Sequence, residues 1–265
     1  MCGRYTLSTV DGPEIAKRFS LIDPPSEETL GRFNVCPTET VAAVLDPGQI
    51  STVQWSLRPF KNQKYAPINV RSETAASRFK WLMDGGRCLV LADGWYEWLK
   101  AEKKGQQRLP FRYTVDDGSV FAFAGVYDGT GVAILTTEAN EICAPVHDRM
   151  PVVLDGPEAE AMWLSEDVDV PEAEGLLLPF PSERVSVAPA NPAVNRAGVE
   201  GPELLTPPDE PVETPATPLS GWPSAAAILA TAVTAASASA ALVLPLGGAS
   251  PVTAAAALAL MPCTP

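Results

Sequence analysis

Residues 87–99, RCLVLADGWYEWL, and 109–137, LPFRYTVDDGSVFAFAGVYDGTGVAILTT, decide how this chain folds. They hold five short runs rich in β-branched and aromatic residues, broken by Asp-Gly pairs and similar turn signals. Such runs predict strands over Arg87–Ala92, Trp95–Leu99, Phe111–Val115, Val120–Val126 and Val132–Thr137. Short turns join most of them, so neighbouring strands run antiparallel. Successive side chains in a strand point to opposite faces. Trp95 and Glu97 therefore share one face, and Tyr96 and Trp98 the other. A glutamate among aromatic neighbours reads either as a buried acid or as part of a solvated face, and the alternation alone leaves both open.

Working outward, Cys2–Ser8 (CGRYTLS) predicts a short strand at the start of the chain, and Pro13 opens a helix through Phe19. Val41–Leu45 and Ile50–Trp55 flank the turn Asp46-Pro47-Gly48, a hairpin signal. Ser72 is expected to cap a helix that runs to Met83 and stops at Gly85-Gly86. A strand at Pro151–Leu154 is followed by short acidic helices over Glu158–Leu164 and Pro171–Leu178. The expected class is α+β: a single domain with a largely antiparallel β core and flanking short helices, plus a low-complexity C-terminal tail. The domain is expected over 1–206, a Pro-rich linker over 207–219 and an Ala-rich tail over 220–265. That tail carries no charged side chain. Its stretch 224–244 is long enough to span a bilayer. Ala, Ser and Thr dominate it, however, and no Lys or Arg flanks it, so a low-complexity appendage is the favoured reading over a membrane anchor.

The five cysteines (Cys2, Cys36, Cys88, Cys143 and Cys263) are dispersed, with no C-x-x-C pair. No signal-peptide core precedes them, so reduced thiols in a cytoplasm are expected. His147 is the one histidine, and no ligand-like spacing surrounds it; neither a metal nor a cofactor is expected. The net charge of −13 argues against binding nucleic acid through bulk attraction to phosphate. The charge is uneven. Residues 1–112 hold 16 basic and 12 acidic side chains, whereas residues 113–206 hold 3 basic and 17 acidic. A locally basic face fits the first part.

Several segments remain: MCGRYTL (1–7), FNVCPT (33–38), INVRSET (68–74), RCLVLADGWYEW (87–98), TTEAN (136–140) and VHDRMPVVL (146–154). Together with NPAVNRAGVEGPELL (191–205) they resemble the SRAP (SOS response-associated peptidase) family, the abasic-site cross-linking proteins of bacteria and eukaryotes. The resemblance runs from Met1 to about Thr206 and leaves the tail unmatched. It implies a part in the DNA damage response, with single-stranded DNA containing abasic sites as the partner and the protein acting as a monomer.

Within that resemblance Cys2 carries the chemistry. Removal of Met1 would leave a cysteine with a free α-amine, whose pKa near 7.7–8.0 keeps a useful fraction nucleophilic. An opened abasic sugar is an aldehyde. The amine condenses with it to an imine, and the thiol closes a five-membered thiazolidine. Only an N-terminal cysteine offers this 1,2-aminothiol. The resemblance implies Glu97 as general acid–base, suited by burial that raises its pKa. It implies His147 as the group that protonates the sugar ring oxygen, and Asn69 as the side chain that orients the amine or the sugar hydroxyl. Arg4, Arg71 and Arg149 fall inside the matched segments and are expected to clamp flanking phosphates, with Thr136 as a weaker donor. Asn34 and Pro37, with Trp55 and Trp98, are expected to form a wall on which bases stack.

Three rivals remain. A class II glutamine amidotransferase also begins Met-Cys-Gly, but this chain has no Asn-Gly-Glu segment. A cysteine peptidase that processes its own Met1 is the second, and a non-covalent module for damaged DNA the third. A minor lyase activity would accompany the imine. The segment WSLRPF (55–60), Leu91 and Trp95 depart from the family's usual pattern, and none touches Cys2, Asn69, Glu97 or His147.

Overall fold

Alternating burial along the strands sorts the side chains of this protein into stacked layers. The computed structural model describes residues 2–59, 66–99 and 108–207. In chain order the elements are β1 (Tyr5–Leu7), α1 (Gly12–Arg18), β2 (Arg32–Val35), β3 (Thr40–Asp46), β4 (Gln49–Gln54), β5 (Asn69–Arg71), α2 (Ser72–Arg78) and α3 (Lys80–Gly85). They continue with β6 (Arg87–Ala92), β7 (Gly94–Leu99), β8 (Leu109–Val115), β9 (Phe121–Tyr127), β10 (Val132–Glu138), β11 (Arg149–Pro151), α4 (Gly156–Leu164), α5 (Val170–Glu174) and β12 (Val185–Pro189).

One sheet has the order β12-β8-β7-β1-β2 and the other β11-β10-β9-β6-β3-β4, with β5 paired to β10. Among the described residues, all pairings between strands are antiparallel except β5 with β10. The α+β class and the largely antiparallel core are as expected. Inward side chains of both sheets, among them Tyr5, Val90, Trp95, Tyr113, Phe121 and Phe123, form one core. The intervening residues of the second sheet, such as Leu89, Leu91, Ala122 and Ala124, pack with Leu82, Met83 and Trp163 from the helices. On the outer face of the first sheet Tyr96 packs with Ala190, Val194 and Leu204. The Arg87–Trp98 stretch thus serves three layers, and Glu97 points with Trp95 into the space between the sheets.

Several elements differ from expectation. The helix predicted over Ser72–Met83 is two helices, because Phe79 leaves helical geometry at φ −130°, ψ 33°. Ser72 is its first helical residue rather than its cap, a place taken by Arg71 with no side-chain capping bond. The first strand spans Tyr5–Leu7 rather than Cys2–Ser8. The strand expected at Pro151–Leu154 begins at Arg149. Its continuation enters between β9 and β10: the Val152 amide donates to the Leu135 carbonyl, and the Ala124 amide to the Val152 carbonyl, both at 2.9 Å. Strand β5, at three residues, is too short to show alternation in the sequence, and β2 and β12 are not among the expected strands. Residues 208–265, where most of the linker and the whole tail fall, lie outside the described residues. Among those described, no helix is long and apolar enough to cross a membrane.

Candidate active site

Cys2 stands just before β1, which is held between β2 and β7. Asp93 fastens this strand: its carboxylate accepts from the Thr6 hydroxyl (2.5 Å), the Ser8 amide and hydroxyl (2.6 and 2.7 Å), the Thr9 amide (3.2 Å) and Arg112 (3.3 Å). Beside it Gly94 lets the strands close up, since a Cβ there would lie 2.8 Å from the Tyr113 carbonyl oxygen. Cys2 is fully buried. Burial pushes its thiol pKa well up, and the charge of Glu97 adds to the effect. The thiol donates a long bond to the Arg4 carbonyl at 3.7 Å.

Asn69 opens β5, opposite Ile134 of β10. Its Nδ2 donates to the Cys2 carbonyl at 2.7 Å, which fixes the backbone of the residue that the sequence singles out. Its Oδ1 is buried with no hydrogen-bond partner. Glu97, on β7, is 5 % exposed, and burial pushes its carboxyl pKa up to about 7. The buried-acid reading of the alternation therefore holds.

His147 follows the turn over 141–146, which Asn140 organises by accepting from the Cys143 amide and donating to the Phe180 carbonyl (3.0 and 2.8 Å). The Arg149 amide donates to His147 Nδ1 at 3.0 Å, which places the proton of a neutral ring on Nε2. The Asp148 carboxylate also lies 2.9 Å from Nδ1. One ring nitrogen cannot accept from the amide and donate to the carboxylate at once. We favour the amide bond, because the Asp148 side chain is 89 % exposed and water satisfies it.

The residues expected to hold DNA divide. Arg71 is exposed, and Pro37 is half-buried. Arg4 is half-buried, donates to Asn34 Oδ1 at 2.6 Å and to the Val194 carbonyl, and lies over the Trp98 ring at 6.0 Å. Trp98 is half-buried, with its indole N–H donating to Asn195 Oδ1. Four expected contacts are placed differently. Trp55 is fully buried in the core between the sheets and is no stacking surface. Asn34 is buried too, bracketing Arg4 while its amide donates to the Arg196 and Val199 carbonyls. Arg149 is buried, and its guanidinium is taken up by Glu73 and the Thr136 carbonyl and hydroxyl. Thr136 is fully buried and accepts from that arginine rather than facing solvent. In each case the partner is remote in sequence, so the segment itself carries no sign of it. Asp93 and Glu73 are residues that sequence reasoning missed. Asp93 lies inside the quoted ADGWYEW stretch, where an acid just before a glycine looks like an ordinary turn. Among the described residues, no cluster of His, Cys, Asp and Glu could hold a metal ion.

This arrangement puts a buried cysteine, an amide fixing its backbone and a carboxyl of raised pKa in one part of the inter-sheet core. Comparisons with known proteins identify the family. The sequence profile described as SOS response associated peptidase (SRAP) matches residues 1–197. Abasic site processing protein YoaM of Bacillus subtilis is 32 % identical over 227 residues, covering 77 % of this chain and 97 % of its own. Abasic site processing protein YedK of Escherichia coli is 31 % identical over 225 residues, covering 78 % and 100 %. In fold, a crystal structure of a Bacteroides thetaiotaomicron protein superposes with a TM-score of 0.66 at 22 % identity, covering 78 % of this chain and all of that one. With a profile match over most of its length and relatives that it spans almost end to end, this chain belongs to the SRAP family.

Proposed function

We propose that this protein recognises abasic sites in single-stranded DNA and bonds to them covalently through Cys2, once Met1 has been removed. The observation that carries the reading is the placement of Cys2, with its carbonyl held by Asn69 and its thiol within the electrostatic reach of Glu97. The relatives named for abasic-site processing give the substrate class.

The α-amine of Cys2 adds to the sugar aldehyde and loses water to give an imine. The thiol then adds across the C=N bond, its proton passing to the nitrogen, and the thiazolidine ring closes. A thiol raised in pKa by burial needs a base to give up its proton. Glu97, titrating at about 7, takes and returns protons at neutral pH without a large penalty in either direction. His147, with Nδ1 accepting from the backbone, presents Nε2–H as a hydrogen-bond donor that polarises the sugar ring oxygen during opening. Arg4 and Arg71 attract the flanking phosphates, and Trp98 and Pro37 border the bases. Arg149 and Thr136 act behind this surface, holding β11 and so the residues around His147 in place. The imine also permits slow β-elimination, a minor lyase activity, and a peptidase step would be confined to Met1.

A denaturing gel tests the reading. Protein mixed with an abasic single-stranded oligonucleotide should give a slower band that survives denaturant and is absent with Cys2→Ala. A wild-type lane with no such band would sink the covalent mechanism. Intact mass separates the routes to the free amine, since persistence of Met1 in Glu97→Ala but not in wild type supports self-processing.

A further inference from the structure

A polar atom sealed in a protein core without a partner calls for an explanation. Tyr113 of β8 is fully buried, and its hydroxyl has no hydrogen-bond partner. Its ring stacks on Trp95, centroids 5.2 Å apart. A phenylalanine would make the same stack without stranding a hydroxyl. What lies near that hydroxyl follows from the register. In the β7–β8 pair Trp95 is opposite Tyr113, and Glu97 is opposite Phe111. Tyr113 and Glu97 are therefore diagonal neighbours on the same inward face, a separation that long and aromatic side chains bridge. The electrostatics agree. Burial first, then the Cys143 thiol and then the charge of Glu97 push the phenol pKa up.

We infer that Tyr113 is a positioning residue for Glu97, its phenol O–H donating to the carboxylate, directly or through one buried water, when that group is ionised and acts as the base. The inference rests on the reading of Glu97 as the acid–base of cross-linking. Other groups felt by Glu97 or feeling it include Cys2 before β1, Cys143 and Asp148 around the turn that precedes β11, and the amine at the chain terminus. Asp148 opposes ionisation of Glu97, the terminal amine favours it, and the two thiols are weak donors. Tyr113 is a neutral donor on the same inward face, and its place on β8 does not depend on whether Met1 is present.

Tyr113→Phe removes the hydroxyl and keeps the ring. A hydrogen bond to the charged form lowers an acid's pKa, so its loss raises that pKa. Carbon-13 NMR of glutamate-labelled, DNA-free protein reads the Glu97 titration, assigned by the signal missing in Glu97→Gln. Tyr113→Phe should raise the midpoint by about half to one pH unit, leaving roughly three- to tenfold less carboxylate per protonated acid at a fixed pH. Tyr113→Leu, which also lacks the hydroxyl, should move it the same way. The acid limb of the cross-linking rate should shift by an equal amount, with its high-pH plateau within about twofold of wild type. An unmoved Glu97 midpoint in both variants overturns the inference, even if thermal stability falls. A wild-type protein that forms no cross-link removes the functional reading instead, while the NMR titration still decides the link between Tyr113 and Glu97.

Discussion

Glu97 is a carboxyl sealed in a core, and the base role proposed for it requires it to ionise. Its pKa, raised from 4.5 to about 7 by burial, means that the folded chain holds this proton more tightly than the unfolded chain does. Stability from this group is therefore present at low pH and is lost as pH rises from about 4.5 through 7. A neutral isostere escapes that loss. Above pH 7, Glu97→Gln should be more stable than wild type by up to about 3 kcal/mol, as urea unfolding would measure. The same variant should cross-link about 10²- to 10⁴-fold more slowly at neutral pH. In wild type the rate should climb with pH through about 7 as the base form fills. A flat profile would show that Glu97 is not the base. Alternation told which face Glu97 shares with Trp95, so its burial was half legible in the sequence. The burial of Thr136 and Asn34 was not. Their neighbours, Arg149 for one and Arg4, Arg196 and Val199 for the other, are brought together by chain reversals that no local pattern records.

At the scale of elements, β1 is short, three residues, and owes its position to its neighbours. Asp93 supplies much of that hold, binding Thr6, Ser8 and Thr9 from a single carboxylate. Removing it strands several donors in or near the core. Asp93→Ala should cost about 2–4 kcal/mol in denaturant unfolding. It should also slow cross-linking under conditions where the variant remains folded, because Cys2 stands just before the slackened strand. Normal cross-linking by a destabilised Asp93→Ala would mean that β1 keeps its place without the bracket. The long strands β6 to β10 were readable from period and turn residues. The three-residue β5 was not, since its parallel pairing with β10 joins segments more than sixty residues apart. Yet β5 is what brings Asn69 to the Cys2 carbonyl.

Over the whole molecule, acidity limits how DNA can be held. A chain of net charge −13 has little general attraction for phosphate, and Arg149 is already bound to Glu73. With Arg4 and Arg71 as the proposed main phosphate contacts, the slope of log affinity against log salt should be shallow, about −1.4 to −2 for two to three phosphates on a single strand. The slope is best measured by fluorescence anisotropy with Cys2→Ala, which removes the covalent step. A slope steeper than about −4 would require a larger basic surface than these residues form. The α+β class was legible in the sequence, and so was the family, whose profile matches residues 1–197. The layer order was not, because it depends on which sheet face each strand turns toward the other.

All four cysteines among the described residues are buried and unpaired. For Cys2 the consequence concerns ageing. Oxidants and alkylating agents attack thiolates that they can reach. A thiol kept protonated and out of water is spared that wear, as a blade is by its sheath. The Cys2 thiol should therefore be lost more slowly in dilute peroxide than that of the same chain unfolded.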